Sequence, residues 1–511
     1  MVETEASKEK FLLKVKKWLK DPQNLVLIGI LLLALVLRLY YFFLTTNQPL
    51  WWDESEYMLK AKSFAFGTPD TGWWYGRPIL FSVISSFFFK VGLGELGIRF
   101  LWVLVSLATV YLVFYLGKTL FNKKIGLIAA LLASLSYIDL FYTLRLLVNL
   151  PEVFFALLAY ALFVKVEFGQ GSKKLIWAII PIILIGVLIR FTVGLTIIVL
   201  LVFLLSIKGL KLLKEKEWYI SILIGLLLFL PYGIYSWIKY GNPVYVIMSV
   251  LVGSTGQRAV GDTPFKIFID YIKYLPSYTQ IVLFIFFIIG LVVILFNLVI
   301  LFDKIKSESS QKKNLFIIIA FLIPLIYFGF FVNHFEDRYL SLALPFIFII
   351  TAYGLFLAYN FIKIHINKII ALVFILGILL FGCYSMYTNS NAIITDKINS
   401  YSDLRDTGIW IKTNSLPTDA IISAAVPELT YYSERPTYHH ADNLTGELSL
   451  ITEKNVKFLV ITSWEKSPDW TYEFFSKPGQ FPLVHQSVST YRGQQMFALV
   501  FWVNSSSTLQ P

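Results

Sequence analysis

The stretch Trp51-Trp-Asp-Glu-Ser-Glu-Tyr57 sets two adjacent carboxylates, Asp53 and Glu54, between two tryptophans and a tyrosine. Tryptophan and tyrosine favour the headgroup level of a bilayer, so these acids are expected at the depth of a lipid's polar head. Partial desolvation there would raise a carboxylate's pKa and suit it to accept a proton as a general base. The same residues also read as plain helix chemistry, with Asp53 capping a helix that starts at Glu54 and Glu56 favouring its dipole. Both readings can hold, since a cap can also be a base.

Arginines supply the complementary charge. Arg77 opens an apolar stretch in Tyr75-Gly-Arg-Pro-Ile79, and its planar fork matches a phosphate. Arg145 and Arg190 follow, and Arg338 stands in His334-Phe-Glu-Asp-Arg-Tyr339. Arg190 is flanked by apolar runs, where a charge is costly and usually functional. Each could instead be an anchor whose head snorkels to the interface. Converging beside Asp53, they could cradle a lipid-linked phosphate or diphosphate. Asn149 and Glu152 begin another apolar run and could face the same cavity, or simply dress a helix N-terminus.

These residues need a scaffold, and composition says what kind. Of 511 residues 57% are hydrophobic and only 15% charged, with a mean hydropathy of +0.69. A soluble domain averages about 25% charged residues, so this chain cannot solvate a globule of its size. The net charge of +12 lies in short basic blocks between apolar runs. That pattern sets membrane topology and argues against nucleic acid as a partner. The single Cys383 allows no internal disulfide and no thiolate zinc site.

Apolar runs near 24–44, 97–117, 125–141, 147–164, 175–189, 191–207, 218–238, 278–301, 314–332, 342–361 and 369–388 predict about eleven spans. Lysine blocks at 8–20, 118–124, 165–174, 208–216, 304–313 and 363–368 predict a cytoplasmic N-terminus. Residues 78–92 break the parity and are too short for a full crossing, so they are expected to form an outer juxtamembrane or re-entrant helix. The division expected is a basic cytoplasmic N-terminus (1–23), a membrane domain (24–390) and a small extracytoplasmic α/β domain (391–511). In the last, Ser400–Thr413 has helical spacing, and 420–424, 456–462, 483–488 and 496–503 read as strands.

Several signals are set aside. Gly92-Leu-Gly-Glu-Leu-Gly97 has dinucleotide-loop spacing but no βαβ context, so it reads as a turn. His439-His440 has no partner at metal-ligand spacing and reads as a surface pair. Asn443-Leu-Thr and Asn504-Ser-Ser are glycosylation sequons of a kind common by chance. No set of outer acids has metal spacing. No cofactor is therefore expected to be required, and a divalent cation is left open.

Taken in order, the motifs resemble the GT-C superfamily of membrane glycosyltransferases, in the branch of the protein O-mannosyltransferases and lipid A aminoarabinose transferases. The resemblance rests on Asp53-Glu54 with Tyr57, Arg77-Pro78, Arg99 opening the next span, Leu147-Val-Asn-Leu-Pro-Glu-Val-Phe-Phe155, and Arg338-Tyr339. Trp410-Ile-Lys and Tyr431-Tyr-Ser-Glu-Arg435 look like the tails of prokaryotic members. The fold implied is an all-α polytopic, GT-C-like membrane protein of about 11–13 transmembrane helices, with outer juxtamembrane helices and a small C-terminal α/β domain. Such enzymes, hexosyl- or pentosyltransferases, move a sugar from a polyprenyl-phosphate carrier to an acceptor hydroxyl on a protein, glycan or lipid, inverting the anomeric carbon. The resemblance implies Asp53 as base with Glu54 as its catalytic neighbour, and Arg77, Arg190, Arg338 and Tyr339 at the donor phosphate. Tyr57, Arg145, Asn149, Glu152 and His334 are further candidates for substrate contact. Two departures stand out: some relatives carry an aspartate near Asn149, and no segment here is long enough for the β-trefoil of protein mannosyltransferases. Alternative functions are a transporter or flippase, which calls for charges near mid-span and broken repeats, and a non-catalytic assembly subunit.

Overall fold

The computed structural model describes residues 13, 16–68, 70–71, 77–245, 248, 263–475 and 481–503. Lys8, Lys10, Lys14, Tyr75 and Asn504, named above, lie outside them. Long apolar runs have no way to satisfy their backbone in lipid except as helices, and helices dominate. They are α1 (Pro22–Leu44), α2 (Trp52–Phe66), α3 (Leu80–Lys90), α4 (Gly94–Leu120), α5 (Lys123–Leu135), α6 (Tyr137–Thr143) and α7 (Asn149–Glu167). After these come α8 (Ile179–Val187), α9 (Leu195–Lys208), α10 (Lys216–Tyr240), α11 (Pro264–Ile300), α12 (Ser309–Phe331), α13 (Leu344–His365) and α14 (Lys368–Lys397). Their starts carry expected signals: Asp21 accepts from the Gln23 amide with Pro22 in the first turn, and Asn122 accepts from Ile125.

Nine helices among the described residues are long and apolar enough to cross a membrane, and ten if α5 and α6, which meet at 53°, count as one broken span. The chain is a multi-pass membrane protein. Of the eleven segments read from the sequence, 175–189 departs from a plain span. Lys173–Ala178 winds as a 3-10 helix before the nine-residue α8. Pro181 has no N–H to return to Trp177, so the junction lacks one helical hydrogen bond where the winding changes. The stretch 78–92 yields only the eleven residues of α3. That is about 16 Å of helix, against a hydrocarbon core of about 30 Å.

Backbones approach closely where α11 crosses α13. A Cβ on Gly354 would lie 1.9 Å from the Phe286 carbonyl oxygen, and one on Gly290 would lie 2.3 Å from that of Ile350. Small residues permit such contact in lipid, where no hydrophobic effect drives helices together.

Beyond α14 lie α15 (Ser402–Thr413), α16 (Val426–Ser433), α17 (Leu444–Glu453) and a five-stranded sheet. Its strands are β1 (Ala420–Ser423), β2 (Thr437–Tyr438), β3 (Val456–Thr462), β4 (Leu483–Tyr491) and β5 (Gln494–Trp502), in the order β2-β1-β3-β5-β4. β1 pairs in parallel with β2 and β3, while β5 runs antiparallel to β3 and β4. The central β3 is covered on both faces. Phe458 and Val460 pack with Leu404, Ile411 and Leu429, and Leu459 and Ile461 pack with Ile451.

The glycine contact yields a prediction. Gly354→Leu must push α11 and α13 apart and is expected to cost about 1–3 kcal/mol or more. Thermal unfolding in detergent should show a lowered transition, whereas Gly377→Leu, with nothing within 4 Å of its Cβ, should not. Equal transitions would show that the close crossing is dispensable.

Candidate active site

The first turn of α2 is held from behind. Glu54 is fully buried, and its carboxylate pairs with the equally buried Arg145. It also accepts from the Leu146 amide at 2.5 Å and from the Trp51 amide at 2.8 Å. Arg145 reaches Gln48 Oε1 at 3.1 Å and stacks over the Trp51 ring at 4.0 Å. These contacts correct one expectation. The helix starts at Trp52 with Trp51 as its cap, so Asp53 is not the cap. Glu54 and Arg145 are paired with each other at zero exposure and tie the first turn of α2 to the loop before α7.

Asp53 points the other way, with its side chain 33% exposed. Arg77 Nη2 lies 2.7 Å from Oδ1 and Arg338 Nη2 lies 3.2 Å from Oδ2. Arg77 also contacts Glu56 Oε2 at 2.7 Å and sits over the Tyr57 ring at 5.3 Å. Arg338 pairs in turn with Glu336, whose other oxygen meets His334 Nε2 at 3.1 Å and the Tyr339 hydroxyl at 3.2 Å. Three segments distant in sequence therefore meet at Asp53.

Electrostatics overturns the expected direction of the Asp53 pKa. Burial alone would raise it, but Arg77 and then Arg338 outweigh that and hold the carboxyl below the ordinary aspartate value. Glu56 goes up, because burial exceeds the help of Arg77 and Asp53 adds repulsion. Glu336 falls to about 2: burial opposes ionisation, but the His334 hydrogen bond and Arg338 prevail. The Tyr339 hydroxyl is pushed up to about 12 by burial and by Glu336. The pocket thus holds two firmly ionised carboxylates and one acid that protonates more readily.

The remaining candidates cluster less tightly. Arg190 Nη1 lies 2.9 Å from Glu152 Oε2, and its head sits 5.3 Å from the Tyr339 ring centroid. Arg190 joins the network through Tyr339 rather than by touching Asp53. Glu152 is buried between Arg190 and the Thr192 hydroxyl. Asn149 donates to the Arg338 carbonyl at a long 3.5 Å. His334 is 55% exposed at the rim. Among the described residues no group of three His, Cys, Asp or Glu is placed to hold a metal ion. The acids here face arginines.

Sequence reasoning passed over other parts. Glu336 lay inside a quoted motif but was not singled out, and Glu56 was read only as helix dressing. Arg38 sits in the middle of α1, fully buried, paired with Asp139 and bonded to Ser106 Oγ at 2.6 Å. An arginine inside a first span was a legible signal. The region after α14 also reaches the site. The Tyr432 hydroxyl accepts from the Leu50 amide at 2.7 Å, Tyr431 donates to Glu95 at 2.7 Å, and Trp51 Nε1 donates to Ser400 at 2.8 Å. His439 stacks on Trp52 at 6.0 Å, while the His440 side chain is buried against Glu447 at 2.8 Å. His439 is exposed, as expected of a surface residue, whereas His440 departs from that reading because its side chain is buried and braces a turn.

In this bundle an acid on the first outer loop is met by arginines from later loops. Residues 76–235 match the family model described as dolichyl-phosphate-mannose-protein mannosyltransferase. In fold the chain is similar to ArnT from Cupriavidus metallidurans in the apo state, with a TM-score of 0.65 at 13% identity, over 94% of this chain and 98% of that one. The same protein bound to undecaprenyl phosphate matches equally well, at 12% identity. The archaeal oligosaccharyltransferase AglB from Archaeoglobus fulgidus, in complex with an inhibitory peptide and a dolichol-phosphate, matches with a TM-score of 0.61 at 13% identity, over 85% of this chain and 69% of that one. No curated protein matches in sequence. The GT-C resemblance read from the motifs is borne out by this fold and by the matched segment.

Two predictions follow from the charges. Arg145→Met strands the buried Glu54 charge and is expected to cost about 3–5 kcal/mol, much of it recovered when Glu54→Leu is added; denaturant unfolding of the single and double variants reads this directly. Glu336 has its pKa depressed in the folded state, from 4.5 to about 2. Its stabilisation is therefore complete above about pH 4.5 and lost as pH falls toward 2. Transition temperatures measured across that window should fall less steeply for Glu336→Gln than for the native chain.

Proposed function

We propose that the chain is a glycosyltransferase that moves a sugar from a polyprenyl-phosphate donor to an acceptor hydroxyl, by single displacement with inversion, at the outer face of the membrane. The observation that carries this reading is Asp53 gripped between Arg77 and Arg338. Two arginine forks converging on one carboxylate carry more positive charge than that carboxylate neutralises. A lipid phosphate entering the site would take over the arginine forks and free Asp53 to face the acceptor. The GT-C fold supports the reading, as do the undecaprenyl phosphate and the dolichol-phosphate held by two proteins of that fold.

In the reaction the acceptor oxygen bonds to the anomeric carbon while the bond from that carbon to the phosphate oxygen breaks. The acceptor's proton passes to Asp53. An aspartate held ionised by arginines is a weak base. Proton transfer then comes late, once the hydroxyl has begun to bond to an oxocarbenium-like carbon and become acidic. Arg77 and Arg338 take up the charge that grows on the departing phosphate. Arg190 and Tyr339 would act from the neighbouring wall, and Tyr57 and Asn149 would line the acceptor side. Glu152 and His334 support Arg190 and Glu336.

Asp53→Asn should lower transfer from a radiolabelled polyprenyl-phosphate sugar by about 10²–10⁴-fold with folding intact, the usual weight of a general base. Arg338→Gln should lose about 3 kcal/mol of transition-state stabilisation. Unchanged transfer in Asp53→Asn would remove Asp53 as the base. Unchanged transfer in both would remove the site.

A further inference from the structure

The end of α12 opposite the arginine network carries a second constellation. α12 is about 34 Å long, and the His334–Tyr339 segment follows its C-terminus. At its N-terminus lies a cavity of about 420 Å³, within the usual range of small-molecule sites, roughly 300–1,000 Å³. Ser309, Ser310, Gln311, Lys313 and Asn314 line one wall. Phe121 and Tyr353, stacked at 4.4 Å, line another.

Three features make this wall a binder of anions. Glu308, the cap residue of α12, makes no side-chain cap hydrogen bond, so the first-turn amides from Ser309 to Gln311 are left open. Lys313 brings a positive charge, and its ammonium lies 5.9 Å from the Phe168 ring centroid. Gln311 is only 3% exposed, yet its Oε1 has no hydrogen-bond partner among the described residues. Asn314, 7% exposed, lies on the same wall. Buried amides are ordinarily satisfied, so an unpartnered one on a cavity wall points to a polar ligand. A carboxamide can present either end by rotation. No carboxylate lines the cavity, which argues against a metal or an amine. The volume exceeds what one inorganic ion fills, and the aromatic wall suits an apolar portion.

We propose that this cavity binds a phosphate group carried on a larger molecule, either the headgroup of an anionic phospholipid or a soluble phosphate ester. Lys313 and the open amides of α12 hold the phosphate oxygens. Gln311 and Asn314 bond its ester or hydroxyl groups, and the Phe121–Tyr353 pair receives the carbon skeleton. This site is separate from the sugar-transfer site and does not rest on that reading.

The test uses the full chain in nanodiscs of phosphatidylcholine alone, of phosphatidylcholine with phosphatidylglycerol, and of phosphatidylcholine with glycerol 3-phosphate in solution. Native mass spectrometry and thermal unfolding are read for the native chain, Lys313→Gln, Gln311→Leu and the exposed control Lys306→Gln. A lipid source predicts retained phosphatidylglycerol and a raised transition in the second disc only. A soluble source predicts protection in the third. Either way Lys313→Gln should bind about tenfold more weakly, while Lys306→Gln should match the native chain. The proposal fails if neither phosphate compound raises the native transition, or if Lys306→Gln loses as much as Lys313→Gln. Should Lys313→Gln not fold, the three discs with the native chain decide the matter alone.

Discussion

The site depends on a buried ion pair that takes no part in the proposed chemistry. Glu54 and Arg145 sit at zero exposure, and such a pair repays its desolvation only when the remaining lone pairs and protons find partners. Most do here: two backbone amides bond Glu54, and Gln48 and the Trp51 ring receive Arg145, while Arg145 Nε has no hydrogen-bond partner among the described residues. The pair ties the first turn of α2 to the loop before α7. Since Asp53 is the neighbour of Glu54 on a helical turn, fixing one carboxylate inward aims the other outward. The acidic doublet is one anchor and one working group.

The working side is a balance of opposite charges at rest. Asp53, Glu56 and Glu336 share Arg77 and Arg338 among them, so each arginine is neutralised from within the protein. This arrangement keeps the cations from being stranded in a partly desolvated cleft. It also leaves the carboxylate partners open to the cleft, with Asp53 33% and Glu336 30% exposed. The pair of Arg38 with Asp139 is more enclosed, at 0% and 16%.

Much of this was legible in the sequence, for reasons that can be named. Spans were readable because lipid demands apolar runs of fixed length, and strands because β-branched residues cluster at 456–462 and 483–488. Segment 175–189 was misjudged because hydropathy does not register what Pro181 does to the winding upstream of it. In the site, Asp53, Arg77 and Arg338 were found from residue type and likely depth. Which of two adjacent acids turns inward was not recoverable, because it is set by Arg145, ninety-one positions away from Glu54. The Asp53 pKa was misread for the same reason. Depth is a local property that sequence suggests, whereas the charges that cancel its effect arrive from other loops. Glu336 and His439 were overlooked because their significance lies wholly in what they touch.

One contact has a bearing on how the molecule is made. The Leu50 amide bonds the Tyr432 hydroxyl across 382 positions of chain, and Ser400 and His439 grip the two tryptophans that flank the acidic doublet. During synthesis the first loop emerges early, and the groups that seat it arrive only after every helix has been inserted. A chain that stops after the last span therefore carries Asp53, Arg77 and Arg338 but lacks the hydrogen bonds that seat Leu50 and Trp51 beside them.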